Sequence, residues 1–303
     1  MGAVVIGSVF VDVKGFASGH YVPEGRNIGT IEFMHGGVCR NVCEDFGSQG
    51  MPVSFVTMIE DTGLGLDVRN RLEQRGVDVT HMISAPGGMG MWLAILDENG
   101  DLAGSISRQP SYEALGAYIE AHGDEIVRDA DVIILEIDIG AALADRILTL
   151  AEKYKKDVYA IVANMEVILQ HREFLSRIRC FICNSIEAGR LLGVDLTPLP
   201  AFEMLEALRL CVDRFHIPAM VITMGESGAV YYDVPTNDGG HCPAIPTEMV
   251  DSTGAGDAFL AGTVMGLMKE LPLWHAVRVG TRLASATLRS PEASCRPIPG
   301  LFD

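Results

Sequence analysis

Apolar positions come in short unbroken runs early in the chain and settle into a regular alternation later. Residues 3–9 are nearly all apolar, as in a strand covered on both faces. Residues 15–35 carry Gly15, Gly19, Pro23, Gly25 and Gly29, too broken for a core helix, with one short strand expected at 30–33. Gly36-Gly37 opens a helix running to about Gly47 or Gly50. A strand over 53–58 and an amphipathic helix over 64–75, stopped by Gly76, come next, and Val77 to His81 should begin another strand. Residues 89–97 and 102–108 alternate across Asn99-Gly100, a hairpin signal with no helix between the strands.

From residue 113 strands and helices take turns. The pattern predicts helices over 113–127, 141–153, 167–177, 185–192, 201–215, 257–270 and 273–289. Strands are expected over 131–136, 157–162, 179–183 and 219–224, with more at 230–232 and near 244–249. Alternation of this kind implies a mostly parallel sheet covered on both faces. The hairpin and residues 15–35 suggest a small sheet standing apart.

Composition narrows the function. At 303 residues, with 48% apolar and 21% charged side chains, the chain can bury a large core. Its net charge of −17 repels a polyanion, so no nucleic-acid partner is expected. No apolar run approaches the roughly 20 residues of a membrane span. The opening Met1-Gly2-Ala3-Val4-Val5-Ile6-Gly7 reads as a first strand rather than a signal peptide, so no membrane partner and a cytoplasmic setting are expected. Seven cysteines, an odd and scattered set, read as free buried thiols, Cys180-Phe181-Ile182-Cys183 included.

The familiar nucleotide signatures are missing. No lysine precedes Ser or Thr, so there is no Walker-type loop, and no Gly-x-Gly-x-x-Gly follows the first strand. Gly225-Glu226-Ser227-Gly228-Ala229 lacks the last glycine of a nucleophile elbow.

Four constellations remain. Asp251-Ser252-Thr253-Gly254-Ala255-Gly256-Asp257 is a Gly-rich turn feeding an all-apolar helix, a ready anion site with a carboxylate inside it. Thr223-Met224-Gly225-Glu226-Ser227-Gly228 ends a strand where a ligand can approach bare backbone, or else is an ordinary turn. Asn184 and Glu187 share one face of a helix's first turn, where they suit a hydrated magnesium ion or simply cap the helix. Asp12 with Gly36, Gly37 and Asn41 suits a polyhydroxyl ligand, or else is turn chemistry.

Taken together, and in this order along the whole chain, the four resemble the ribokinase/PfkB family of carbohydrate and nucleoside kinases. Asp251 to Asp257 matches its C-terminal signature, Gly36-Gly37-x-x-x-Asn41 its N-terminal one, and Asn184-x-x-Glu187 and Thr223-x-Gly225-x-x-Gly228 its magnesium and nucleotide motifs. The resemblance implies one ribokinase-like domain over 1–303, a three-layer α/β/α body with a mostly parallel sheet. A small β-sheet lid would be formed by about 12–35 and 86–110.

It also implies roles. Asp257 would be the base, the amides of Gly254, Ala255 and Gly256 the anion hole, and Asn184, Thr223, Gly225 and Gly228 the ATP site. Asp12, Gly36, Gly37 and Asn41 would grip a sugar or nucleoside. Glu187 would hold Mg2+ through water, and Asp251 and Thr253 would flank K+. A homodimer through the lid is implied as well.

Phe10 stands where ribokinase-like members tend to carry Asn. Gly36-Gly37-Val38-Cys39-Arg40-Asn41, with Glu44, and the hairpin around Trp92 resemble the pseudouridine-kinase branch. The alternative on the same residues is a sugar- or nucleotide-binding sensor that has lost catalysis; the intact Asp257 and Gly254-Ala255-Gly256 speak against it.

Overall fold

A strand with no polar face needs cover on both sides, and the order of elements provides it. The computed structural model describes residues 2–197 and 199–303. β1 (Ala3–Ile6) leads to two longer strands, β2 (Phe10–Ala17) and β3 (Gly29–Gly36), then to α1 (Val38–Ser48) and β4 (Val53–Ile59). α2 (Gly63–Gln74), β5 (Met82–Ser84), β6 (Gly90–Leu96) and β7 (Leu102–Arg108) follow. Next come α3 (Glu113–Asp129), β8 (Val132–Glu136), α4 (Ala141–Tyr154), β9 (Asp157–Ile161) and α5 (Glu166–Gln170). β10 (Cys180–Asn184), α6 (Ser185–Leu192), α7 (Ala201–Phe215) and β11 (Ala219–Thr223) continue the alternation. β12 (Ala229–Asp233) and β13 (Asp238–Cys242) precede α8 (Ala255–Met268) and α9 (Leu273–Thr287).

The main sheet has nine strands in the order β13-β12-β11-β10-β9-β8-β1-β4-β5. It is parallel from β11 to β5, and β12 and β13 add an antiparallel edge. Along β1, Val4 and Ile6 enter one core while Ala3 and Val5 enter the other. That alternation between two cores is why the strand reads as a continuous apolar run. The first core lies under α3 to α7, the second under α1, α2, α8 and α9. This is the three-layer architecture expected, with the small sheet set apart.

α8 has no polar face: every residue from Ala258 to Gly266 is buried. Its glycines permit that depth. A Cβ on Gly262 would stand 2.8 Å from the Gly280 Cα of α9, and one on Gly266 would stand 2.8 Å from the Ala276 Cα. The two helices therefore pack backbone to backbone, which fixes where α8 begins.

The small sheet runs β3-β2-β6-β7, with β2 antiparallel to β3 and parallel to β6. Its hairpin turns at Gly100, φ 84°, as the Asn-Gly signal requires. Because Asp12 pairs with Met34 and Trp92, these three side chains share one face with Phe10, Lys14 and Glu32. Val13, Ile31, Phe33, Leu93, Ile95 and Ile106 share the other.

Several boundaries differ from expectation. The first strand stops at Ile6, and residues 15–35, expected to hold one short strand, belong to two eight-residue strands. Only residues 18–28 lie outside these strands, as a loop that holds Gly19, Pro23 and Gly25, while Gly15 and Gly29 are within strands. Val77 to His81 contributes only an isolated bridge, Asp78 to Ser54, before β5. The helix expected over 167–177 breaks at His171 into α5 and a 3-10 turn over Arg172–Arg177. Residues 244–249 form no strand; the edge strand is the glycine-rich Asp238–Cys242, whose main-chain pairing with β12 does not need apolar side chains. All seven cysteines are free and buried. No helix among the described residues is long and apolar enough to cross a membrane.

Candidate active site

Parallel strands bring their carboxyl ends to one edge of the sheet, and the expected site residues gather there. Ser8 lies just past β1, Glu136 ends β8, Asn184 ends β10 and Thr223 ends β11. Two helices begin beside them. Gly37 precedes α1 with φ 98° and Gly254 precedes α8 with φ 78°, and neither helix has a side-chain cap. Their first turns lie at the positive end of each dipole with no side chain over them, although the Ala255 N–H donates to Ser252 O at 3.3 Å. Gly254 has a second constraint, because a Cβ there would stand 2.1 Å from the Ala293 carbonyl oxygen.

Asp257 sits in the first turn of α8. Asn41 Nδ2 donates to its Oδ2 at 2.7 Å, so the N-terminal and C-terminal motifs meet in one hydrogen bond across 216 residues of chain. Burial raises the Asp257 pKa to about 6; the bond from Asn41 and the charge of Arg40 oppose this rise, while Glu136 and Glu187 add to it. A carboxylate poised there takes up a proton readily near neutral pH.

Asn184 and Glu187 form a reciprocal cap on α6. Asn184 Oδ1 accepts from the Glu187 N–H at 2.9 Å, and Glu187 Oε2 accepts from the Asn184 N–H at 2.8 Å. The capping box fixes the direction of the Glu187 carboxylate. Burial raises its pKa, and Asp138 adds to the rise while the Asn184 bond and Arg190 counter it. No three His, Cys, Asp or Glu side chains among the described residues are grouped to ligate a metal directly. Carboxylates converging without direct ligation fit an ion held through water and phosphate oxygens, as Mg2+ prefers. Asp251 Oδ1 accepts the Thr253 N–H at 2.8 Å, which tightens the turn and lowers the Asp251 pKa.

Thr223, Gly225 and Gly228 line the turn after β11, where Gly225 and Gly228 have φ of 56° and 86°. Gly228 is pressed against the chain after β13, its missing Cβ 2.1 Å from Cys242 O. A groove of about 450 Å3 opens there, walled by Tyr231, His241, Pro243, Ile245, Trp274 and Arg278.

From the lid, Asp12 points at the site. A Cβ on Gly36 would meet both its carboxylate oxygens at 3.0 Å, so any larger residue there would make the Asp12 side chain give way. Burial raises the Asp12 pKa against the pull of Lys14 and Arg40. The charge of Lys14 also helps to lower the Asp251 pKa, after the hydrogen bonds from Thr253.

Two groups escaped sequence reasoning. Glu136, 3% exposed, accepts from Ser8 N at 2.7 Å and Ser8 Oγ at 2.8 Å, with the Cys39 thiol at 3.4 Å, and burial raises its pKa. Its signal was an acid at the carboxyl end of the apolar run Val132-Ile133-Ile134-Leu135. The other is the role of Arg40, named in the sequence only as part of the N-terminal motif and buried within it.

The motifs therefore gather at the carboxyl edge of the main sheet, where Asn41 meets Asp257 and Asn184 pairs with Thr223. The sequence profile of the pfkB family carbohydrate kinases matches residues 2–299. Guanosine-inosine kinase of Exiguobacterium acetylicum is 31% identical over 301 residues, covering 99% of this chain and 97% of that protein. Pseudouridine kinase of Escherichia coli is 26% identical, covering 94% and 90%. Arabidopsis thaliana ribokinase, solved with ribose and ATP, superposes with a TM-score of 0.83 at 19% identity, over 97% of this chain and 96% of that one. A match along almost the entire chain, carried by a fold of the same design, leaves no doubt of descent: the protein belongs to the pfkB family of carbohydrate kinases.

Proposed function

We propose that the protein transfers the γ-phosphoryl group of ATP to a primary hydroxyl of a nucleoside. The observation that carries the chemistry is the Asn41–Asp257 bond beside the uncapped start of α8. Asp257 takes the proton of the attacking hydroxyl, whose oxygen bonds to the γ-phosphorus as the bond to the departing ADP breaks. The N–H groups of Gly254, Ala255 and Gly256 receive the charge that builds on the transferring group. Asn184, Thr223, Gly225 and Gly228 line the donor, and the groove beyond Gly228 takes its base. Mg2+, held by Glu187 through water, supplies charge neutralisation to the donor phosphates when bound. Asp251 and Thr253 would flank K+ beside the Gly-rich turn.

Acceptor choice rests on the lid. Asp12, Gly36, Gly37 and Asn41 offer the acceptors and bare backbone that a ribose ring needs. Around Asp12 the same lid face carries Phe10, Met34 and Trp92, apolar side chains on which a flat ring can stack. A nucleobase is such a ring. Two relatives named as nucleoside kinases, at 31% and 26% identity, support that reading. An ADP-release screen over purine and pyrimidine nucleosides and free sugars tests it. Nucleosides should turn over, and Trp92→Ala should raise their KM by roughly tenfold, since stacking on an aromatic side chain is worth about 1–3 kcal/mol per base. A free sugar as the best substrate, indifferent to Trp92→Ala, defeats the nucleoside reading.

The opposite lid face is proposed to pair with a second copy. Ile31 and Ile106 are 70% exposed and Phe33 58%, on a face whose neighbours are also apolar. Two such faces bury one another in a symmetric dimer. Sedimentation should show a dimer that Phe33→Asp converts to monomer; a wild-type monomer at all concentrations rejects the pairing.

A further inference from the structure

Arg40 is 2% exposed and makes contacts in four directions. Its Nε donates to Gly36 O at 3.0 Å and Nη2 to His35 O at 2.6 Å, the last carbonyls of β3 where the lid joins α1. Nη1 donates to Glu44, and Nη2 also donates to Asn41 Oδ1. Glu44 is fully buried and is held further by Arg71 Nε at 2.7 Å and Ser294 Oγ at 2.8 Å. Burial alone would push Glu44 up, but Arg40 and Arg71 outweigh it and hold its carboxyl at about 2, so the pair stays charged.

We propose that Arg40 is a positioning residue for the reaction: it fixes the amide of Asn41 so that the NH2 faces Asp257, and it ties that bond to the hinge of the lid. The proposal rests on the reading of Asp257 as base. An amide has the same shape in both orientations, so packing alone does not choose between them. Donors and acceptors do. Guanidinium has only donors, so Asn41 must turn its oxygen to Arg40; ionised Asp257 has only acceptors, so the nitrogen must face it. Without Arg40 the orientation is chosen by Asp257 alone, and only while that carboxylate is ionised, because a protonated carboxyl can donate as well as accept. The lid hinge is held in the same grip, so the position of His35 and Gly36 reaches Asp257 through one side chain.

Other groups face Asp257 as well. Cys39 and Asp45 approach from α1, Glu136 from β8 and Glu187 from α6, and Arg40 is the one cation among the influences that set its titration. A loss of the Arg40 charge and of the Asn41 bond both act in the same direction. Each makes the ionised base less favourable.

The test compares kcat, KM and their pH dependence for Arg40→Met, Arg40→Lys, Arg71→Met and Asp257→Asn, with thermal melting of each. Arg40→Met should lower kcat roughly tenfold or more with KM for ATP little changed, since a misplaced catalytic group costs rate before binding. Its acid limb should move to higher pH by about half a unit to one unit. Arg71→Met, which loosens Glu44 but leaves Arg40 in place, should melt earlier and keep the acid limb where it was. If Arg40→Met does not fold, Arg40→Lys decides: one ammonium cannot hold Asn41, Glu44 and both β3 carbonyls, so it shows the same displacement in smaller measure. A folded Arg40 variant with the wild-type acid limb, or with kcat lowered equally at every pH, overturns the proposal. An active Asp257→Asn enzyme would instead overturn the base assignment itself, so the two failures are distinguishable.

Discussion

Asp257→Asn is expected to lower kcat by roughly 10²–10⁴-fold, the usual cost of losing a general base. The substitution keeps the shape of the side chain and its hydrogen bond from Asn41, so binding of both substrates should change far less than turnover. The same residue sets a pH dependence. Burial places its pKa at about 6, above the ordinary 3.8. A base works only when ionised; above that value it is ionised, and with each unit below it the active fraction falls about tenfold. The profile of kcat/KM between about pH 5 and 9 should therefore bend near 6, and the bend should vanish in the Asn variant. Undiminished turnover by Asp257→Asn would remove the base from the mechanism, while a bend near 4 would mean that the site is wetter than its burial implies.

Gly254→Ala is the second large effect. At φ 78° any other residue pays about 1–2 kcal/mol for a left-handed backbone. The larger penalty is steric: the new methyl would lie 2.1 Å from the Ala293 carbonyl oxygen, and backbone does not yield as a side-chain tip does. The turn must move, and the amides of Ala255 and Gly256 move with it. Loss of one such donor typically costs 10²–10³-fold in kcat. Because α8 is anchored by Gly262 and Gly266 against α9, the fold should survive, with a small drop in melting temperature and nucleotide affinity largely kept. Steady-state kinetics alongside a binding titration separate the two; an Ala variant with normal kcat would show that these amides do not meet the transferring group.

How much of this was legible in the chain follows from what each residue owes its neighbours. The alternation after residue 113 was readable because each strand and helix there carries its own periodicity, and nearly every boundary fell within a few residues. The lid strands were not: Gly29 pairs with Ala17 at the end of the β2–β3 ladder, and the other partner of β2 is β6, a parallel strand more than 70 residues away that leaves no local trace. β13 hid for a similar reason, since Gly239 and Gly240 contribute main-chain hydrogen bonds and no apolar pattern. Within the site, glycines that bracket an acid were visible because backbone geometry is local. Asn184 and Glu187 were read as either cap or metal group, and the cap is present; its geometry leaves the carboxylate aimed rather than consumed. Glu136 was missed because its meaning comes from a partner distant in sequence, Ser8; Arg40 was named only as part of a motif, and its link to Asp257 runs through Asn41.

The backbone-to-backbone seat of α8 on α9 has a consequence for how the family diversifies. The helix that carries Asp257 has no exposed face on which change is cheap, so nearly every substitution along it disturbs packing. The inner face of the lid is the reverse: Phe10, Met34 and Trp92 hang from strands whose pairing is made by main chain and is indifferent to what they are. New acceptors can thus be tried on the lid at little risk to the reaction. Chemistry is inherited on one helix, and appetite is revised on a four-stranded flap.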